Sequence, residues 1–434
     1  MKIWFKNAQI LTQSRIQKGD VLVENETIVF VGTLSESDFL NINEKDSWAD
    51  RIIDVKNNVL MPGFVNAHAH TPSTILRGIA DDMPLDEWLE RIVPYEEMLS
   101  DEDVYYSTLL GLAEYAMAGI TTVEENFSNL EAVVKAYKDS GLKARISIGY
   151  PNVNQKELEE PLIKQLELVE NSNLVAVCYA HSIYGTSDKN FDTLNSFAKQ
   201  NNLAVSVHMS ETLKEVGDCS VSFNKTPVEY LEDLGFFDRK ATVYHCVHVD
   251  KDDIAILSNY EVNVVTCPSS NLKLASGIAP IYAMQNQNIN IAIGTDGAYS
   301  NNSYDMFKEM FLVATLNKAT LYNAGIISAK EVLDMATCNG AKALGFEYET
   351  GQIKAGYKAD IILVDIQGIH HQPQNDIISN LVYSAKSSDV YFTMVNGKII
   401  YENKKLNFAI SLDKIISKCK QISQKLKTNG GKYE

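Results

Sequence analysis

The stretch Val59-Leu-Met-Pro-Gly-Phe-Val-Asn-Ala-His-Ala-His70 is an apolar run that ends on two histidines spaced two apart. In an extended strand alternate residues share a side, so His68 and His70 can reach one point while Ala69 faces away. The pattern returns in Val175-Ala-Val-Cys-Tyr-Ala-His181, in Leu203-Ala-Val-Ser-Val-His208 and in Ala241-Thr-Val-Tyr-His-Cys-Val-His248, which contains His245. It returns once more, with a carboxylate in place of imidazole, in Ile289-Asn-Ile-Ala-Ile-Gly-Thr-Asp296. Six of the eight histidines therefore stand at the ends of short apolar runs. Runs of this length that finish on chemistry-bearing residues read as parallel strands whose carboxyl ends line an active site.

Working outward, apolar strands are expected near 59–66, 120–126, 144–150, 175–181, 203–208, 242–248, 262–267 and 289–295, with helical stretches between them. Ser100 and Asp103 open one helix as a capping box before Val104 to Ala118, and Thr226-Pro227-Val228-Glu229 opens another. Eight strands alternating with helices predict an α/β protein built on a (β/α)8 barrel of TIM type. The two ends differ from this middle. Lys2-Ile-Trp-Phe-Lys6, Asp20 to Val31 with a turn at Asn25-Glu26, Ala359 to Asp365, and Phe392 to Tyr401 with a hairpin at Asn396-Gly397 are all extended. They predict one small β-sandwich domain assembled from residues 1–58 and 348–434 around a barrel over 59–347. Leu412, Ile415, Ile416, Cys419, Ile422 and Leu426 mark a C-terminal amphipathic helix that packs on the body.

The chain has 434 residues, 45% of them hydrophobic and 22% charged, as expected of a folded globular protein. No apolar run approaches the ~20 residues needed to span a bilayer, and the first ten residues lack a secretory signal, so no membrane partner and a cytoplasmic location are expected. A net charge of −17 opposes binding to nucleic acid, whose phosphates demand a positive field. The six cysteines form no Cys-x-x-Cys pair, which argues against a zinc ribbon or a disulfide framework. Association into a homo-oligomer is left open by the composition.

Imidazole and carboxylate together suit a divalent, zinc-like metal, and a catalytic site of that kind keeps one position for water. His68, His70 and His208 supply three nitrogens and Asp296 an oxygen. Glu211, three residues beyond His208, can approach such a water without being a ligand and move its proton. His245 ends a separate strand and can approach the same water from another side, sharing with Asp296 the steering of the nucleophile. His248 is offset from it and reads as a hydrogen-bonded core residue.

Met61-Pro-Gly-Phe-Val-Asn-Ala-His-Ala-His70, Leu76-Arg-Gly78, His208-Met-Ser-Glu211, His245-Cys-Val-His248, Ser270-Asn-Leu-Lys-Leu274 and Gly294-Thr-Asp-Gly297 with Ser300-Asn-Asn-Ser303 together resemble the amidohydrolase superfamily. Within it they resemble the methylthioadenosine/S-adenosylhomocysteine deaminase group, over about residues 1 to 425. The resemblance implies one zinc per subunit, with iron(II) or manganese(II) as alternatives, held by His68, His70, His208 and Asp296. It implies Glu211 as proton shuttle, His245 as the residue orienting the nucleophile, and attack on an adenine ring to release ammonia. It also implies that Trp88 lines the pocket of a small nucleoside substrate, that Glu96 holds ribose hydroxyls, with Glu97 as its rival, and that His181 contacts the nucleoside.

The pattern departs where an arginine is expected to grip an amino-acid carboxylate after the third strand. Ile148-Gly149 and Gln155-Lys-Glu-Leu-Glu159 stand there, with Arg145 and Lys156 nearby but out of register. A carboxylate ligand wants a charge-assisted clamp, so uncharged adenine nucleosides gain on S-adenosylhomocysteine. A two-metal hydrolase is disfavoured, because the fourth strand ends in Tyr179-Ala-His181 without a bridging lysine. Deamination of another heterocycle, such as guanine, a pterin or a triazine, needs the same machinery and a different pocket. An inactive metal-binding scaffold would have lost one of Glu211, His245 or Asp296, and all three are present.

Overall fold

The computed structural model describes residues 1–13, 15–34, 49–149 and 162–430. At its centre eight parallel strands follow one another in sequence order. They are β1 (Phe64–Ala69), β2 (Ile120–Glu125), β3 (Lys143–Ile148), β4 (Val175–Ala180), β5 (Val205–Met209), β6 (Ala241–His245), β7 (Asn263–Thr266) and β8 (Asn290–Ile293). Helices such as Asp101–Ala118, Leu130–Ser140, Asp188–Asn201 and Lys251–Asn259 connect them. The ring closes between β8 and β1, where Asp296 N donates to His68 O (3.0 Å) and the Asn66 side chain accepts Thr295 N (2.8 Å). This is the expected (β/α)8 barrel.

One end of the barrel is filled. Val65, Ala67, Tyr179, Tyr244, Val265 and Ala292 point inward and pack against Ala341, Ala343, Leu344 and Phe346, from the Cys338–Leu344 helix and the residues after it. These plugging residues lie by the starts of the strands, because Ala343 O accepts from Thr242, the second residue of β6. Only the opposite end, where the strands finish, is left to build a site.

The expected strand over 59–66 is two strands. Val59–Pro62 runs in a mixed sheet between Lys2–Thr12, parallel to it, and Ile361–Val364, antiparallel. The chain then crosses to the barrel at Gly63, where any Cβ would lie 2.1 Å from Thr121 Cγ2. A glycine is thus the only residue that lets the two sheets approach so closely.

The mixed sheet draws nine strands from both ends of the chain. Phe5 and Phe392 lie three strands apart in it, about 14 Å if the sheet were flat, yet their rings meet edge to face at 5.6 Å. The sheet therefore curls on itself around Ile3, Val21, Leu60, Ile361 and Met394, which gives the sandwich-like shell its own core. The hairpin turn at Asn396 (φ 47°) and Gly397 (φ 71°) abuts the Asn25–Glu26 turn, and Ala359 N donates to Glu26 O at 2.7 Å. The C-terminal helix Leu412–Gly430 buries Ile415, Cys419, Ile422 and Leu426, with Cys419 on Tyr106 and Lys425 on Asp103 of the Asp101–Ala118 helix. Among the described residues no helix is long and apolar enough to cross a membrane.

Candidate active site and metal centre

His68 lies on β1 and His70 one residue past it, His208 on β5, and Asp296 three residues past β8. All four are buried, and they converge although 228 positions separate the first from the last in the numbering (296 − 68). Each imidazole is held by its outer nitrogen. His70 Nδ1 donates to Asn126 O (2.5 Å), and His208 Nδ1 donates to His181 O (2.7 Å) with Tyr179 OH at 3.1 Å. Carbonyl oxygens only accept, so both rings turn a lone pair on Nε2 toward the centre. The Asn126 amide lies 3.1 Å from His68 Nδ1, and the His68 ring stacks on Tyr244 at 3.9 Å.

At the centre, His208 Nε2 is 3.1 Å from His68 Nε2, and Asp296 Oδ1 is 3.5 Å from the Nε2 atoms of His68 and His70. Burial and the neighbouring rings hold His68 down to about 3 and His208 well below its ordinary value, so both are neutral, the form that binds metal. Three nitrogens and a carboxylate oxygen in this arrangement fit a divalent metal. Asp296 is fixed by Ser270 Oγ (2.6 Å) and Gly297 N (2.7 Å).

Beside the donors stand Glu211 and His245. Glu211 is buried two residues past β5, and its Oε2 lies 3.9 Å from His245 Nε2. His245 is aimed by its other nitrogen, which meets Asn271 Oδ1 at 2.8 Å. Burial raises the Glu211 carboxyl above its usual range, while for His245 the same burial is outweighed by the charges of Glu211 and Asp296, which hold its proton on. The turns that carry these groups are strained: Ser210 (φ 51°), His245 (φ 71°), Cys246 (φ 46°) and Asp296 (φ 58°) all occupy the left-handed region, which costs non-glycine residues about 1–3 kcal/mol each. Such a cluster marks the strand ends as built for side-chain direction rather than for stability.

These groups open onto a small cavity walled by Trp88, His181, Leu89, Leu274, Tyr299 and Ser300. Trp88 packs edge-on against Tyr299 at 4.6 Å, and its buried indole N–H has no partner. Burial holds His181 down to about 4, so it faces the cavity as a neutral ring. Glu96 stands behind this wall, hydrogen-bonded to Tyr299, and burial pushes its carboxyl up to about 8; Glu97 is exposed. His248 is anchored away from the donors, with Nε2 2.7 Å from Ser276 O.

Arg145 is committed elsewhere. It is buried inside the barrel, paired with Glu124 through Nε and Nη2 and bonded to Ala343 O and Thr242 Oγ1. Lys156 lies outside the described residues. The outer supports Asn126, Tyr179, Ser270, Asn271 and Glu215, whose Oε2 accepts Glu211 N at 2.8 Å, form a layer that the sequence reading did not assign. Asn126 carried a usable signal, since it follows β2 as the histidines follow their strands.

A parallel barrel with histidines and an aspartate gathered at its strand ends defines a metal-dependent hydrolase built on the TIM plan. The Amidohydrolase family matches residues 59–400, and the chain belongs to that family. It is 38% identical over 436 aligned positions, covering 98% of this chain and all of the relative, to the 5-methylthioadenosine/S-adenosylhomocysteine deaminase of Acetivibrio thermocellus. Among solved structures it is similar to a zinc-bound adenosine deaminase from Xanthomonas campestris, with TM-score 0.90, 31% identity and 98% of each chain covered. It shares its fold with a triazine hydrolase from Arthobacter aurescens, at TM-score 0.86 and 21% identity over 97% of this chain and 99% of that one.

Proposed function

We propose that the chain catalyses hydrolytic deamination of an adenine nucleoside of the 5′-methylthioadenosine, S-adenosylhomocysteine, adenosine or 5′-deoxyadenosine type, giving the inosine-type product and ammonia. The observation that carries this reading is the buried Glu211–His245 pair, 3.9 Å apart and beside four converging donors in one cavity. Zinc, one per subunit, suits His68, His70, His208 and Asp296, and iron(II) or manganese(II) suits the same set. When bound, the metal supplies the Lewis acidity that makes water a nucleophile near neutral pH.

The residues do the rest. Glu211 takes a proton from the attacking water and delivers it to the ring nitrogen next to the carbon under attack. His245, aimed by Asn271, holds the nucleophile in line with Asp296 as its second acceptor. The added hydroxyl then gives up its remaining proton, relayed through Glu211 to the amino nitrogen, and the carbon–nitrogen bond breaks as the ring carbonyl forms, releasing ammonia. Trp88 offers its unpartnered N–H and ring face to the nucleoside. His181, neutral in the wall, contacts the base side. Glu96, through its bond to Tyr299, is the carboxyl placed to meet ribose hydroxyls.

The test is ammonia release from a panel of adenine nucleosides alongside guanine, a pterin and an aminotriazine. Turnover of adenine nucleosides is expected, with a loss of about 10²- to 10⁴-fold in Glu211→Gln at unchanged metal content. Turnover confined to guanine, pterin or triazine overturns the substrate class, and unimpaired Glu211→Gln overturns the proton path.

A further inference from the structure

The helix Met306–Thr320, which follows β8, brings one more carboxyl up to the catalytic groups from outside their cavity. Glu309 is fully buried, and the neighbouring Lys308 directs its ammonium to Asn301 Oδ1 (3.0 Å) and Ser303 Oγ (3.5 Å) rather than to this carboxyl. The two oxygens of Glu309 are divided between two segments. Oε2 accepts Ser269 N (3.0 Å), an amide in the first turn of the Pro268–Lys273 helix after β7. Oε1 accepts Asn301 Nδ2 (2.9 Å), which also donates to Thr295 O (2.8 Å) after β8. Those segments carry the supports of the site. Ser270 and Asn271 come directly after Ser269, and they fix Asp296 and aim His245; Thr295 comes directly before Asp296. One carboxyl therefore ties the segment that aims His245 to the segment that carries Asp296.

We infer that Glu309 is a positioning residue, which holds Asp296 and His245 in register with each other without touching metal or substrate. Both of its donors have fixed polarity. A backbone N–H only donates, and the Asn301 amide is oriented from both sides, by Thr295 O and by the Lys308 ammonium. A carboxylate offers an acceptor to each, whereas an amide of the same shape would set N–H against N–H at one of them. Burying a carboxyl away from a cation costs stability, so its presence here is explained by the link it makes rather than by the fold. The part of this role that concerns turnover rests on the proposed deaminase reading; the part that concerns the metal donors does not.

The test uses Glu309→Gln at about pH 8.5, where the wild-type carboxyl, lifted by burial to about 7, is ionised. Zinc affinity is read by chelator competition on metal-stripped protein, and kcat and KM on zinc-saturated protein with the adenine nucleoside turned over fastest. Zinc affinity is expected to fall about tenfold and kcat about 10- to 100-fold, with KM changed by less than about threefold. Phe392→Leu, in the separate core of the mixed sheet, lowers stability at a distance and should alter neither zinc affinity nor kcat. Zinc affinity or kcat at its wild-type value in folded Glu309→Gln, or losses matched by Phe392→Leu, overturns the inference. If Glu309→Gln does not fold, Asn301→Ala, which frees Thr295 O and leaves Ser269 held, should lower zinc affinity and kcat in the same sense, and wild-type values there overturn it. A wild-type protein that turns over no adenine nucleoside sinks the deaminase reading, and zinc affinity alone then decides the role of Glu309.

Discussion

Glu96 shows how strongly position alone can alter a side chain. It differs from its exposed neighbour Glu97 by one step along the Leu85–Glu97 helix, yet it faces Tyr299, and burial there lifts its carboxyl from 4.5 to about 8. A carboxyl that holds its proton more tightly when folded favours the native state at low pH. That contribution is whole below 4.5, declines as pH rises, and is gone once pH has passed through about 8. Glu96→Gln cannot ionise, so it should gain stability relative to wild type across this window. Thermal melts at pH values below and above it check the sign: a difference between variant and wild type that does not grow with pH contradicts the assigned environment. The sequence could not separate Glu96 from Glu97, because the spacing from Trp88 to Pro94-Tyr-Glu96 is one residue shorter than the family resemblance leads one to expect, which leaves either carboxyl in register.

At the scale of the element, the barrel strands do two jobs. Their ends carry the site, and their inward faces form a polar layer beneath it in which Arg145 on β3 grips Glu124 on β2 and Tyr244 on β6 donates to the same carboxylate. Tyr244 then supports His68 by stacking, so this buried ion pair lies one residue from the donors. Arg145→Leu strands the buried Glu124 charge and should destabilise the protein by about 3–5 kcal/mol, read as a lower denaturant midpoint, while Glu124→Leu with Arg145→Leu should cost less than the single change. A single change without effect would place the pair outside the fold's energetics. The strand ends were legible because a polar residue closing an apolar run is a periodic signal. Arg145 was not, because a charged residue inside a strand gives no hint that its partner lies on the neighbouring strand. The break at Gly63 was hidden for a similar reason: Val59 to Val65 is apolar throughout, and a change of sheet leaves hydrophobicity unaltered.

For the whole molecule, the donors tie together β1, β5 and β8, while the mixed sheet joins both chain ends beneath the first of these strands at Gly63. The two-ended sheet was readable as two regions of like character, but not its curl, which depends on contacts such as Phe5–Phe392 between residues 387 positions apart (392 − 5). A metal bound only by the folded arrangement stabilises it by mass action, so chelation should lower the melting temperature as well as abolish turnover. The most direct measurement is ammonia release from an adenine nucleoside while metal-stripped protein is titrated with zinc. Activity is expected to be absent at the start, to rise linearly and to stop at one ion per chain. Full activity in the stripped protein, or a rise that continues to two ions, would contradict a single centre formed by His68, His70, His208 and Asp296.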